Sequence, residues 1–165
     1  MINVKTRRIL LCASVLALFR MGIMPTELFA QDGLTGIKRS DLSIGNINIG
    51  QSLRILPQSP AAAKFEVRST SETDIFIQIV LPDHLQEIGG KSELGVIFST
   101  DCARWSLNDN VENSTSFDPH SSLRVHLEKN QSVIIWLGAF VAPPSNLQAG
   151  HYISSITLTT TQVAK

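Results

Sequence analysis

The stretch IFIQIVL, residues 75–81, sets the fold class of this chain. Large aliphatic side chains stand at every second position from Ile75 to Leu81. A period of two is that of a β-strand with one face in a hydrophobic core. Phe76 and Val80 are apolar as well, so the opposite face of this strand is also expected to be covered, as in a central strand.

The same alternation recurs from Asp41 onward and predicts about eight strands. The other alternating sets are Leu42, Ile44, Ile47 and Ile49; Leu53 and Ile55; Ala63, Phe65 and Val67; Leu94, Val96 and Phe98; Leu123, Val125 and Leu127; Val133, Ile135 and Leu137; and Tyr152, Ile156 and Leu158. Residues typical of turns separate these sets, and only residues 83–88 leave room for a helical turn. The sequence predicts an all-β fold: a single immunoglobulin-like antiparallel β-sandwich over residues 41–165.

The N-terminus has the order of a secretory signal peptide. The basic residues Lys5, Arg7 and Arg8 precede a short apolar run at 9–19. That run is too short to span a bilayer as a helix. Residues 1–30 are therefore predicted to be a signal-peptide helix, and the protein is expected in the periplasm, at the cell surface or outside the cell.

The favoured cleavage point follows Ala30, because signal peptidase requires a small residue next to the cut. Residues 31–40 are then a flexible mature N-terminus. The alternative is an uncleaved membrane anchor, which would bury the charge of Arg20 in the bilayer at a cost of a few kcal/mol.

Cleavage makes the protein mildly acidic. The first 30 residues hold four basic and one acidic of the 14 basic and 14 acidic side chains, which leaves a net charge of −3. A mature domain of this charge lacks the basic surface that binds nucleic acid or an anionic membrane. Only Cys102 remains after cleavage, so an intramolecular disulfide is excluded, and the thiol is expected to be a small buried hydrophobe rather than a reactive or intermolecular group.

The end of the chain, AGHYISSITLTTT, predicts a closing strand. Gly150 permits a turn or bulge. Tyr152 can bury its ring while its hydroxyl reaches the main chain, as in a tyrosine corner, although an ordinary hairpin gives the same fold. Residues 133–137 and 152–160 are predicted to be consecutive antiparallel strands.

Several stretches together resemble a family of secreted bacterial domains of unknown function, akin to spore-coat-U-like and fimbrial proteins. They are DLSIGNINIG, AAAKFEVRST, DIFIQIVLP, FDP and WLGAFVAPPSNLQAGHYISSITLT, and the last includes Gly138, Gly150 and Tyr152. The resemblance implies an immunoglobulin-like sandwich that is displayed or polymerised on the bacterial surface, and it brings no catalytic residues.

The chain departs from a chaperone–usher pilin at both ends. Residues 31–40 contain only Leu34 and Ile37 as bulky apolar side chains, which makes a poor donor strand, and no aromatic residue closes the C-terminus. Assembly by strand exchange would need residues 41–49 as the donor.

No motif predicts a catalytic, cofactor or metal site. A G-x-S-x-G elbow is absent, and the four histidines are scattered. Oxygen ligands at 101–112 match no calcium loop, and Asp118, His120 and His126 match no recognised metal spacing. The sequence predicts a protein that is not an enzyme.

Trp105 and Trp136 are the candidate ligand contacts, since an exposed indole complements the apolar face of a sugar, although packing in a core is the commoner role. The leading prediction is a non-enzymatic structural or adhesive envelope protein, a pilus-like subunit that associates with itself or with other surface subunits. The alternative is a carbohydrate- or ligand-binding β-sandwich module.

Overall fold

The structure is a computed structural model that describes the backbone of residues 29–31 and residues 33–163 with their side chains. Residues 1–28 of the predicted signal-peptide helix lie outside the described residues, and the last two, Phe29 and Ala30, form part of a strand rather than a helix. In the part of the chain that is described, no helix is long and apolar enough to cross a membrane.

Fourteen strands run through the described residues, more than the eight or so predicted, because several are only two to four residues long. The strands are β1 (Phe29–Gln31), β2 (Leu34–Ser40), β3 (Leu53–Ile55), β4 (Ala63–Ser69), β5 (Thr73–Val80), β6 (His84–Glu87), β7 (Glu93–Ile97), β8 (Ala103–Ser106), β9 (Thr115–Ser116), β10 (Leu123–Leu127), β11 (Ser132–Leu137), β12 (Ala139–Val141), β13 (Tyr152–Ile153) and β14 (Thr157–Gln162). A 3-10 turn, Thr100–Cys102, precedes β8.

The strands form three sheets in which every neighbouring pair is antiparallel. A six-stranded sheet has the order β1-β2-β4-β11-β8-β9, a three-stranded sheet the order β10-β5-β14, and a five-stranded sheet the order β13-β6-β7-β12-β3. Consecutive strands often enter different sheets: β4 and β5 do so across a three-residue connection.

One hydrophobic core joins the three sheets. Val67 of β4, Ile77 of β5 and Val96 of β7 belong to it, and each is at most 5% exposed. Burial alternates along β4 and β5, as a period of two requires. The cover expected over the opposite face of β5 is absent, because Phe76 and Val80 are 39% and 63% exposed. The predicted all-β, antiparallel sandwich is confirmed.

Gly138 stands where the chain leaves the six-stranded sheet at the end of β11 and enters the five-stranded sheet as β12. A Cβ atom at this position would lie 1.9 Å from the carbonyl oxygen of Ile55. The Gly138 amide donates a hydrogen bond of 2.7 Å to the carbonyl of Cys102. The two sheets therefore approach here at a distance that only glycine permits.

Most of the segment 31–40, predicted to be flexible, is an ordered strand in the structure. Residues 34–40 are strand β2, which pairs with β4 and buries Leu34 to 2% exposure. The rest of β2 is mostly half-buried, with no apolar alternation. Main-chain pairing rather than a hydrophobic pattern holds this strand, which is why periodicity did not reveal it.

The prediction of a strand across residues 41–49 is wrong. Leu42 is buried and Ile44 and Ile47 pack on the core, but the segment enters no sheet within the described residues. Gly45 has φ +68°, a left-handed conformation that interrupts an extended backbone between the two isoleucines.

The helical turn predicted at residues 83–88 is also wrong, because this segment is strand β6. Leu85 is buried while its neighbours His84 and Gln86 are exposed, and it lies opposite Leu94 of β7. Gly89, at φ +77°, closes the hairpin between these strands.

The predicted consecutive pair of closing strands is wrong as well. Strand β12 lies between β11 and the tail in the chain, and the tail divides into β13, which pairs with β6, and β14, which pairs with β5. Because β4 and β8 already flank β11 on its two edges, no edge of β11 remains for the tail.

Candidate functional site

Trp136 lies on the face of the six-stranded sheet that points away from the core. Its neighbours in β11, Ile135 and Leu137, are fully buried in the core, so alternation places the indole on the opposite face. Trp136 is nevertheless only 6% exposed. Something other than the core must therefore cover it.

Two cationic side chains flank the indole. Trp136 is the cross-strand partner of Lys64 in β4 and of Arg104 in β8. The Lys64 ammonium lies 5.7 Å from the centroid of the Trp136 ring, within the range of a cation–π contact.

The loop between β8 and β9, residues 107–114, is tied to both cations. The Lys64 ammonium donates to Asp109 Oδ1 at 2.5 Å. The Arg104 guanidinium donates to the hydroxyl and to the carbonyl oxygen of Ser114, both at 2.7 Å. Since β4 and β8 lie on opposite sides of β11, a loop that starts from β8 and reaches Lys64 passes over Trp136.

Trp105 has the other orientation. It lies opposite Ile135 in the β8–β11 ladder and is half-buried against the core. The two candidate tryptophans therefore occupy opposite faces of one sheet and do not form a common platform.

The predicted structural residues near the C-terminus lie together beside Glu87. The Tyr152 hydroxyl donates to the carbonyl of Gln148 at 2.7 Å, and its ring packs on the core. Gly150 needs no left-handed backbone, but a Cβ there would lie 2.6 Å from Oε1 of Glu87. Glycine at this position therefore admits a neighbouring side chain rather than a bulge.

Strand β14 forms one edge of the three-stranded sheet. At residues 157–161 its ladder partners within the described chain all belong to β5. Leu158 and Thr160, which lie opposite the core residues Ile79 and Ile77, are only half-buried. This edge carries no charged residue and no proline, and its register is continuous.

The other edge of that sheet, β10, is charged. Asp74 of β5 accepts hydrogen bonds from Arg124 at 2.7 Å and from Nδ1 of His126 at 2.9 Å. The hydrogen bond from Arg124, followed by that from His126, lowers the pKa of the Asp74 carboxyl. The guanidinium also lies 5.9 Å from the ring of Phe76, which is 39% exposed.

A second carboxyl group with a lowered pKa, that of Glu66, lies on the outer face of the six-stranded sheet. Burial opposes the ionisation of Glu66, but hydrogen bonds from Arg39 and Ser132, with the charges of Arg39 and Arg68, outweigh it and lower the pKa of this carboxyl. The bond from Arg39 Nε is 2.8 Å long and that from Ser132 is 2.9 Å.

The residues weighed as metal ligands have separate partners. Asp118 accepts from the Ser121 hydroxyl at 2.7 Å and from the His120 amide at 3.0 Å, which lowers the pKa of its carboxyl and closes a turn. The ring of His120 bonds instead to the carbonyl of Phe98, and His126 bonds to Asp74. Within the described residues no group of three potential ligands converges.

The oxygen-rich segment at 101–112 is likewise dispersed. Asp101 pairs with Arg54, and Asp109 pairs with Lys64. Asn110 accepts from the Glu112 amide at 3.0 Å, in keeping with turn formation. Cys102 is fully buried, as expected.

The sequence analysis did not predict the ion pairs on the outer face of the six-stranded sheet and along β10. Lys64 and Asp109 are 45 residues apart, and Asp74 and Arg124 are 50 apart. No local motif signals a contact across such separations, because only the sheet topology brings the partners together.

In comparisons with known proteins, no family model, no curated protein and no solved structure matches this chain.

Proposed function

We propose that this protein is a non-enzymatic, exported structural or adhesive protein of the bacterial envelope or surface, and that it acts as a pilus-like subunit that associates with further copies of itself or with other surface subunits. The signal-peptide pattern of residues 1–30 supports export. The antiparallel sandwich and the family resemblance of the C-terminal stretch support a structural role.

The open edge of β14 is the observation that carries this proposal. A sheet edge presents unpaired main-chain donors and acceptors to any extended segment that approaches it. Natural proteins usually protect such edges with charge, proline, bulges or a covering loop. Strand β14, with the sequence TLTTTQ, has no charge, no proline and no bulge.

The side chains at this edge also favour strand addition. Leu158 and Thr160 face the core from β14 but remain half-exposed. A strand added beside β14 would cover Leu158 and complete that margin of the core. Main-chain hydrogen bonds would supply the affinity and the covered side chains the specificity.

Fractionation of the native host, followed by chemical cross-linking of intact cells, tests the proposal. We expect the protein outside the cytoplasm, with an N-terminus at Gln31, and in cross-linked species larger than one chain. Uncleaved protein recovered from the cytoplasm would contradict export. Exported protein that never cross-links to another chain would contradict the subunit role.

A ligand-binding module is the second candidate, and the surroundings of Trp136 favour it. An indole between two cations offers an apolar ring face beside groups that attract an anion, and here it lies outside the core on the side of the sheet that carries the loop at 107–114.

A further inference from the structure

One row of side chains crosses the outer face of the six-stranded sheet as cation, aromatic, cation. Lys64, Trp136 and Arg104 hold these places in β4, β11 and β8, and the two ladders fix them side by side. Two hydroxyl groups lie on one side of the row: Ser116 is opposite Arg104, and Ser106 is opposite Ile134, two residues from the indole. On the other side Glu66 lies opposite Ile134, and its carboxylate is bound by Arg39 and Ser132.

The loop at 107–114, here called the strap, supplies the row with oxygen acceptors from the chain itself. A carboxylate, Asp109, accepts from Lys64, and Ser114 accepts from Arg104 through two oxygen atoms. The strap thus places an anionic oxygen at one end of the row and neutral oxygens at the other, with the indole beneath.

The hold of the strap on Lys64 is weak. The Asp109 side chain is 63% exposed, and solvent screens an ion pair of this kind. A bond within the strap, from the Glu112 amide to Asn110 Oδ1 at 3.0 Å, helps to keep it folded without adding a contact to the row. The Asp109 end of the strap can therefore leave Lys64 at small cost, whereas the buried Ser114 keeps its two bonds to Arg104 and the strands that carry the row stay in place.

We propose that the Asp109 end of the strap occupies a ligand site, and that the row Lys64–Trp136–Arg104 binds an acidic saccharide when this end moves off Lys64. The ligand carboxylate takes the place of Asp109 on Lys64, with charge complementarity that a neutral sugar lacks. The sugar ring lies on the indole, and the serine hydroxyls bond to sugar hydroxyls. This inference specifies the ligand of the second candidate function, and it is independent of the β14 edge.

The test compares two probes of equal length, trigalacturonate and maltotriose, by isothermal titration calorimetry. Asp109→Asn removes the competing carboxylate and is expected to bind trigalacturonate at least ten times more tightly than the unaltered protein, with no comparable gain for maltotriose. Adding Lys64→Gln to Asp109→Asn should abolish the gain. Asp101→Asn is the matched control, because it removes another exposed carboxylate paired with an arginine elsewhere on the molecule.

A second measurement tests, in the absence of ligand, whether the strap shields Trp136 from solvent. In a Trp105→Phe background the remaining indole is Trp136, and Asp109→Asn should at least double the quenching of its fluorescence by acrylamide. Thermal melts of each variant confirm that it is folded.

Three results would overturn the inference: trigalacturonate affinity equal in Asp109→Asn and the unaltered protein, including no binding to either; equal gains for both saccharides; or a gain that survives Lys64→Gln. Unchanged acrylamide quenching would show that residues 107–114 do not act as a strap. A negative result here leaves the proposed assembly through β14 intact, because none of these residues lies on that edge.

Discussion

The hydroxyl of Tyr152 donates a hydrogen bond of 2.7 Å to the main-chain carbonyl of Gln148, four residues upstream. This bond joins the end of the long connection after β12 to the first residue of β13. The ring of the same tyrosine packs on the core. One side chain thus fixes both the path of the connection and the point at which the tail enters the sandwich.

Replacing Tyr152 with phenylalanine tests that role. Tyr152→Phe keeps the ring and loses the bond, and we expect a loss of about 0.5–1.5 kcal/mol in the free energy of unfolding, towards the lower end because the bond is exposed to water. Tyr152→Ala should cost more, since the ring contact is lost as well. Urea unfolding measures both, and a phenylalanine variant as stable as the parent would show that the bond contributes nothing.

Gly138 is predicted to be the glycine least tolerant of substitution. The Cβ of Gly138→Ala would meet the Ile55 carbonyl oxygen at 1.9 Å, so the main chain would have to move where two sheets meet. We expect a loss of more than about 3 kcal/mol, at the upper end of the usual cost of overpacking.

Gly95→Ala in β7 is the matched control, because no atom lies within 4 Å of a Cβ built there. It should melt at the temperature of the parent or slightly above it, since alanine restricts the unfolded chain. Equal melting temperatures for Gly138→Ala and Gly95→Ala would refute the close approach of the two sheets.

The tail of the chain is expected to be essential up to Thr161 and dispensable beyond it. Deleting residues 151–165 removes β13, β14 and the fully buried Ile156, whereas deleting 162–165 leaves Ile156 and Leu158 in the chain. The long deletion should aggregate or be degraded, and the short one should melt within a few degrees of the parent.

A point variant gives the same information in a full-length chain. Ile156→Ala should cost about 2–5 kcal/mol, as for other large-to-small core changes. If Ile156→Ala is as stable as the parent, the closing segment does not belong to the core.

Acid is expected to destabilise the protein partly through Glu66. The folded state lowers the pKa of this carboxyl from its ordinary value of 4.5. Its ionised form therefore stabilises the fold fully above pH 4.5, and this contribution disappears as the pH falls through the lower value of the folded state.

Melting temperatures of Glu66→Gln and the parent should therefore differ at pH 7 and converge as the pH falls below 4.5 and through the lowered pKa of the folded state. The exposed Glu72 supplies the control variant, Glu72→Gln. A difference between Glu66→Gln and the parent that is constant with pH would contradict the linkage.

The sequence predicted the strands that alternate strongly. Residues 63–67, 75–81 and 133–137 bury one set of side chains in a common core, and period two is visible in each without knowledge of any partner. Tyr152 was also predicted correctly, because its hydroxyl partner is local.

The strand predictions that were wrong concern segments whose structure depends on contacts with distant parts of the chain. Strand β2 follows no hydrophobic pattern because pairing with β4 holds it, and residues 41–49 carry the pattern but lose the strand at Gly45. The tail pairs with β5 rather than β11 because β11 is already flanked on both sides. The ion pair that joins Lys64 of β4 to Asp109 in the loop after β8 has no local signal in the sequence.

The role as an assembling subunit is tested most directly by sedimentation velocity of the purified protein over a hundredfold range of concentration. We expect the sedimentation coefficient to rise with concentration as chains add strands at β14. Thr160→Lys places a charge on the half-buried inner side of that edge and should keep the protein monomeric. Ser145→Lys, which adds the same charge to an exposed loop, should assemble like the parent. A parent protein that remains monomeric at every concentration, or a folded Thr160→Lys variant that assembles as the parent does, would contradict the account.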